Sequence, residues 1–282
     1  MQVFNNIQDL KPILSQKKEQ GHTLGFVPTM GALHQGHLSL IQQAHKENDD
    51  VIVTIFVNPT QFDNSLDFEK YPRIVEADLI LLSNFEKKIL VYLPQLKDIY
   101  PNGITSKHFD FGGIENEMEG KFRTGHFDGV GTVLKSFFDL LQPTNAYFGE
   151  KDFQQLQIVK KLAALEKLPV NIIGCPIFRE PSGLAMSSRN KRLRDEQLQE
   201  AAILFKLLST VKNDFGTKNA KELTQWVEKE LKKSKIVTLE YFEIADENTL
   251  KPIVNIEKNK KYRAFIAVFV GEVRLIDNIA LN

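Results

Sequence analysis

The stretch FVPTMGALHQGHLSLIQQAH, Phe26–His45, decides how this chain folds. A short apolar segment, Thr23 to Val27, gives way to Pro28 and Gly31. Two histidines then enclose a glycine at His34-Gln35-Gly36-His37, and an apolar helical spacing runs from Leu38 to about Lys46. The order predicts strand, tight turn at Thr29–Gly31, and a helix opening near Gly36. A helix amino end offers unpaired N–H groups and the positive end of the dipole, so phosphate is stabilised there. His34 and His37, three apart, can share one face of the first turn and donate to phosphate oxygens, and Gly36 lets a ligand approach the backbone. One histidine would be explained by hydrogen bonding within a loop, but H-x-G-H arises by chance only about 0.007 times in a chain of this composition. A zinc site is disfavoured, because no glutamate lies between the histidines and no cysteine or carboxylate cluster lies near them.

Outward from this segment the pattern repeats. VIVTIFV (Val51–Val57) is a β-branched run without alternation, as expected of a strand buried on both faces of a parallel sheet. Further strands are expected at Ile89–Pro94, Asn145–Gly149 and Val170–Ile177. Helical patterns lie between them, near Leu38–Lys46, Phe68–Lys87, Phe127–Leu141 and Phe153–Leu168. This alternation predicts an α/β fold with a doubly wound, Rossmann-like parallel-sheet domain over residues 1–177, its ligands at the carboxyl ends of the strands. Beyond it come two charged helical stretches (Asp195–Lys212 and Ala220–Lys233) and strand-like segments IVTLEYFEIA and RAFIAVFVGEVRLIDNIAL. A smaller α+β domain is expected over 178–282.

Composition narrows the function. The 282 residues carry 36 basic and 36 acidic side chains, so no field collects nucleic acid or anionic lipid. No apolar run approaches the length of a membrane span. One cysteine, Cys175, cannot form an internal disulfide and is expected to be an inert buried thiol; with no signal-peptide pattern at the start, a cytoplasmic protein is expected. Two glycine-rich stretches fail as phosphate cradles. In GGIENEMEGKF, Phe122 stands where a P-loop needs Ser or Thr, and GVGTVL (Gly129–Leu134) lacks the third glycine of a dinucleotide fingerprint. His126 and Asp128 in TGHFD receive no role beyond helix initiation.

His34-Gln35-Gly36-His37 resembles the HxGH signature of the nucleotidyltransferase superfamily that includes the class I aminoacyl-tRNA synthetases. The motifs PTMGALHQGH (28–37), FVNPTQF (56–62), YPR (71–73), EGKFRTGHFDGV (119–130), YFGEKDFQQL (147–156) and GLAMSSRN (183–190) narrow the resemblance to the pantothenate synthetase (pantoate–β-alanine ligase) family. Departures are small: Thr124 stands where the family often has proline, and Glu180-Pro181-Ser182 replaces a commoner acidic pair before Gly183.

The resemblance implies an enzyme that condenses (R)-pantoate with β-alanine at the expense of ATP, through pantoyl adenylate, in the biosynthesis of pantothenate. It implies magnesium, whose ligands do not stand out in the sequence, and a homodimer. It makes His37, His34 and Lys151 catalytic. ATP would be met by Met30, Gly31, Ala32, Leu33, His34, Gln35, Gly36 and His37, by Gly149, Glu150, Lys151 and Asp152, and by Phe178, Met186, Ser187, Ser188 and Arg189. The phosphates would rest on the two histidines and on the backbone from Met30 onward, adenine on the backbone of Phe178. The segment MSSRN resembles the KMSKS loop of the related synthetases, and the C-terminal domain would carry it as a lid over ATP. Gln61 and Gln155, neutral two-way hydrogen-bonding groups, would hold pantoate, Gln61 also facing β-alanine. Pro28, Met30 and Phe62 would line the apolar side. A nucleotidyltransferase that keeps the nucleotide in its product would share the first turn but would not need the two glutamines; a sensor would bind ATP without turnover.

Overall fold

The computed structural model describes residues 1–63, 65–85, 88–253 and 255–282. Its contacts divide the chain into two units. The first holds Met1–Glu115, Glu119–Glu150 and Gln155–Pro176, and the second holds Asn116–Met118, Lys151–Gln154 and Ile177–Asn282. The elements run β1 (Gln2–Phe4), α1 (Ile7–Glu19), β2 (Leu24–Thr29), α2 (Gln35–Glu47), β3 (Asp50–Ile55), α3 (Ser65–Lys70), α4 (Val75–Ser83), β4 (Leu90–Tyr92), α5 (Leu96–Ile99), α6 (Glu119–Phe122), α7 (His126–Leu141), β5 (Asn145–Gly149), α8 (Phe153–Leu165) and β6 (Asn171–Cys175). They continue with α9 (Asp195–Ala201), α10 (Ile203–Asp214), α11 (Ala220–Leu231), β7 (Val237–Asp246), β8 (Tyr262–Val270) and β9 (Val273–Ala280).

The first unit is built on a six-stranded sheet in the order β1-β4-β3-β2-β5-β6, every pairing parallel. Val51 through Ile55 are all buried, which is why this strand shows no alternation. Val27, Ile41, Ala44, Val53, Val91 and Tyr147 share one core. From β2 the chain turns to β3 and β4 on one side, while β5 and β6 lie on the other. The order therefore reverses between β2 and β5, and a ligand crevice is expected at their carboxyl ends.

Several elements of the first unit differ from the sequence reading. Strand β1 and helix α1 were not anticipated, because a three-residue edge strand and a helix with a polar mean character leave little apolar pattern. The helix expected over 68–87 is broken: Pro72 lacks a donor and disfavours helix at Tyr71, and Arg73 donates to the carbonyls of Phe68 (3.0 Å) and Tyr71 (3.3 Å), closing α3. Positions 86 and 87 of that expected helix lie outside the described residues.

The second unit carries an antiparallel sheet in the order β7-β8-β9. Leu204, Leu208 and Val211 of α10 and Leu223 and Val227 of α11 share a core with Phe242, Ile266 and Val268. Helix α11 opens on a reciprocal cap, Asn219 Oδ1 accepting from Glu222 N–H and Glu222 Oε2 from Asn219 N–H, each at 2.9 Å. The expected helix 195–212 is two, interrupted at Ala202, and the run from Arg263 to Leu281 is two strands turning at Gly271, whose φ is +59°.

Candidate active site

The turn after β2 is fixed from a distance. Gly31 has φ +82°, and a Cβ there would sit 3.0 Å from Asp78 Oδ2 and 3.1 Å from Ile55 Cγ2. Ala32 follows with φ +51°, a conformation that non-glycine residues adopt only when neighbours impose it. The constraint is Asp78, buried in the first turn of α4, whose carboxylate accepts from the N–H of Ala32 at 2.9 Å and of Leu33 at 2.7 Å. Gly31 N–H donates to Thr29 Oγ1 at 3.2 Å. Of the backbone from Met30 onward that was expected to meet phosphate, the amides of Gly31, Ala32 and Leu33 each have a partner within the chain. Nothing in the sequence marked Asp78, since its partners lie 45 and 46 positions away.

The two histidines come together at the start of α2. His34 is the N-cap, with φ −151° and ψ 176°. Its carbonyl accepts from His37 N–H at 2.8 Å, and its own N–H donates to His37 Nδ1 at 3.2 Å. Accepting at Nδ1 leaves the proton of a neutral His37 ring on Nε2, so the chain itself selects the tautomer. The rings lie 4.0 Å apart between centroids, and the first turn of α2 carries no acidic residue, so nothing there opposes an incoming anion.

Gln61 is built into a network that sequence reasoning did not reveal. It closes a short 3-10 turn, Pro59–Gln61, and is 8% exposed. Its Nε2 lies 3.1 Å from Met30 Sδ, which brings two expected site residues together. Its Oε1 accepts from Asn58 Nδ2 at 3.2 Å, and the same nitrogen donates to the Gly129 carbonyl at 3.1 Å. The Tyr100 hydroxyl donates to Asn58 Oδ1 and meets Thr60 Oγ1 at 2.7 Å. Burial pushes the Tyr100 hydroxyl above the usual phenol range, against its hydrogen bonds with Thr60 and Asn58. Tyr100 thus keeps its proton, Asn58 keeps Nδ2 toward Gln61, and Gln61 presents its NH₂ side rather than its carbonyl. Helix α7 closes the other flank. His126 Nδ1 donates to the Gln61 carbonyl at 2.8 Å, and a Cβ on Gly129 would lie 2.4 Å from the Thr60 carbonyl oxygen. The glycine of GVGTVL serves close packing. Asp128, likewise unassigned from sequence, accepts from Phe109 N–H and contacts His108 Nδ1, each at 3.0 Å.

Gly149 ends β5 with open space where a Cβ would stand, and Glu150 follows it. Gln155 is half-buried on α8, while Phe62 stacks edge-on with Phe68 and Tyr71 at 5.3 and 5.6 Å. Cys175 is buried, and burial, with Glu47 and Glu150 adding to it, pushes its thiol up to about 11.

In the second unit Lys151 Nζ lies 3.6 Å from Asp152 Oδ2, and its carbonyl accepts from Asn278 Nδ2 at 2.8 Å. Ser187 caps a 3-10 turn, Ser188–Arg192, its Oγ accepting from Arg189 N–H at 3.3 Å. Buried Asn190 anchors this loop by donating to Glu180 Oε1 at 2.7 Å and to the Ala185 carbonyl at 3.1 Å. Glu180 thus has a structural task in this sequence. Phe178 is 41% exposed, and its carbonyl accepts from Met186 N–H at 3.0 Å. Below the loop Arg179 grips buried Asp277 with both terminal nitrogens, at 2.6 and 3.0 Å. Among the described residues no group of three His, Cys, Asp or Glu could hold a metal ion, and no helix is long and apolar enough to cross a membrane.

Comparison with known proteins agrees over the full length. A family model described as pantoate-beta-alanine ligase matches residues 2–280. A pantothenate synthetase of Christiangramia forsetii is 53% identical over 282 residues, which is 100% of each chain. The crystal structure of pantothenate synthetase from Thermus thermophilus has a TM-score of 0.91 at 36% identity, covering 100% of this chain and 99% of that one. That of the pantoate-beta-alanine ligase from Francisella tularensis, complexed with beta-gamma ATP and beta-alanine, has a TM-score of 0.80 at 38% identity, covering 100% and 98%.

Proposed function

The chain belongs to the pantoate–β-alanine ligase family, and from that premise we infer how its own residues carry the reaction. It joins pantoate to β-alanine at the expense of ATP. The observation that carries the assignment of roles is the amino end of α2, where two adjacent imidazoles and the helix dipole meet no competing acidic charge in the first turn.

In the first step a pantoate carboxylate oxygen bonds to the α-phosphorus and pyrophosphate leaves. In the second the β-alanine amine attacks the acyl carbon, the C–O bond to AMP breaks, and the nitrogen gives up a proton. His37, its Nε2 carrying the proton, donates toward phosphate oxygen, and His34 beside it adds a second imidazole. Preorganised donors of this kind contribute about 3 to 4 kcal/mol each. Gln35 and Gly36, in the first turn of α2, lie beside the phosphates, and Gly149 with Glu150 borders the nucleoside. Lys151 supplies a compact cation near the α-phosphate and Asp152 meets the ribose. Ser187, Ser188 and Arg189 take the triphosphate, Arg189 with fixed, always charged donors. Gln61 holds pantoate and β-alanine through its NH₂ group, and Gln155 holds pantoate. Magnesium neutralises pyrophosphate when bound; with no three-ligand cluster among the described residues, it fits as an ion carried in on the triphosphate with few protein ligands. The family likeness supports a cytoplasmic homodimer, which light scattering would test for its subunit count.

Pyrophosphate–ATP exchange tests the reading. Exchange should depend on pantoate alone, with amide formed only after β-alanine is added. His37→Ala should lose about 100- to 1,000-fold in exchange while remaining folded. Near-normal exchange in that variant would remove His37 from the mechanism.

A further inference from the structure

We propose that the first turn of α7, acting through His126 and Gly129, is the positioning element for Gln61, so that His126 governs how well pantoate and β-alanine are held. The proposal rests on the reading of Gln61 as a substrate-binding residue and adds a group that controls it.

The geometry is specific. His126 is 6% exposed, and both of its ring nitrogens are committed to protein groups: Nδ1 to the Gln61 carbonyl at 2.8 Å, Nε2 to an Arg123 terminal nitrogen at 3.2 Å. A guanidinium can only donate, so Nε2 is an acceptor, Nδ1 carries the hydrogen, and the ring is neutral. A ring so placed does not serve as a catalytic acid or base. The other terminal nitrogen of Arg123 also reaches the Gln61 carbonyl at 3.4 Å, and the arginine is in turn set by Glu119 at 3.6 Å and Asp63 at 3.9 Å. Three residues further on, within the same turn, the Gly129 carbonyl accepts from Asn58 Nδ2, the nitrogen that orients the Gln61 side chain, and the missing Cβ of Gly129 lets the helix lie against the Thr60 carbonyl. The turn bearing Gln61 is therefore clamped through its carbonyl, through its side-chain partner, and by direct backbone contact. All three clamps come from one turn of α7. The Pro59–Gln61 turn is too short to hold its own geometry, closed as it is by a long backbone bond, Phe62 N–H to the Pro59 carbonyl at 3.4 Å. Removing the His126 donor leaves a buried carbonyl short of a partner and frees the turn to shift.

The two carboxamide replacements separate positioning from simple support of the core. Asparagine places its NH₂ close to where imidazole Nδ1 stands and can still donate to the Gln61 carbonyl, whereas glutamine reaches the Nε2 position and cannot. Steady-state kinetics of the full chain, with ATP, pantoate and β-alanine varied in turn, should show His126→Ala raising KM for pantoate and β-alanine about tenfold and leaving KM for ATP within about a factor of two. His126→Asn should return both values to near those of the unaltered chain, and His126→Gln should behave like alanine. Equal behaviour of the asparagine and glutamine variants, or a parallel rise in all three KM values, overturns the proposal. Should the alanine variant fail to fold, the asparagine–glutamine contrast decides alone. Gln61→Ala is the control: if it leaves both KM values unchanged, the reading of Gln61 fails, whereas a response from Gln61→Ala with none from His126→Ala refutes the positioning role only.

Discussion

Asp78 shows how much a single buried carboxylate can decide. It fills the backbone concavity at Ala32 and Leu33, accepting from both amides, and so fixes the turn that leads into α2. Asp78→Ala should strand two buried amides and cost about 2 to 5 kcal/mol, seen as a lower denaturation midpoint, with adenylate formation falling along with it. Asp78→Asn keeps one acceptor and should fall between. His108 offers a second test at this scale. The hydrogen bond that His108 Nδ1 donates to Asp128, reinforced by the carboxylate's charge, holds the imidazole above its ordinary value near 6.5. A pKa raised on folding means that the pair contributes fully below about 6.5 and is lost as pH rises through the higher folded value. An NMR titration should find His108 above about 6.5, and Asp128→Asn should bring it down; an unchanged midpoint would sever the link. At this scale the sequence was legible where chemistry-bearing types sit close together, as in His34–His37. It was silent on Asn58, Asp78 and Tyr100, whose work depends on partners brought near only by folding. The partners of the Ala32 and Leu33 amides were hidden for the same reason, because a local pattern cannot reveal a carboxylate arriving from another helix.

Among the elements, α7 is the one whose sequence most invited a wrong reading. Its glycines look like part of a nucleotide loop, yet Gly129 lies against the Thr60 carbonyl, and a Cβ on Gly131 would lie 2.9 Å from the Phe109 ring. Gly129→Ala should force the helix and the Pro59–Gln61 turn apart, costing about 1 to 3 kcal/mol and raising KM for pantoate more than KM for ATP. A stability loss without any change in KM would separate packing from function. The alternation of strand and helix was readable because continuous apolar runs such as Val51–Val57 point to two-sided burial. The break at Pro72 was missed because apolar spacing continues across it, whereas the local cost at Tyr71-Pro72 outweighs that spacing.

At the scale of the whole molecule the two units have separate cores, and each contains a native reporter. Cys175, the chain's one cysteine, is buried in the first; Trp226, its one tryptophan, is half-buried against the second. With its thiol held up to about 11, Cys175 should resist alkylation at about pH 8 until the first unit opens. Leu223→Ala, at a fully buried position of the second core, should cost about 2 to 5 kcal/mol and lower the Trp226 fluorescence midpoint in denaturant. Rapid labelling of folded protein would contradict the burial of Cys175.

The strand order has one more consequence, for the chain as it is made. Leu24–Thr29 acquires its neighbour Asp50–Ile55 early in synthesis, but its other neighbour, Asn145–Gly149, emerges roughly a hundred residues later. At about 5 to 20 residues per second this central edge stays bare for roughly 5 to 20 seconds on every ribosome. A nascent chain that has not yet reached Asn145 lacks the junction of these two strands, and with it the point at which the strand order reverses.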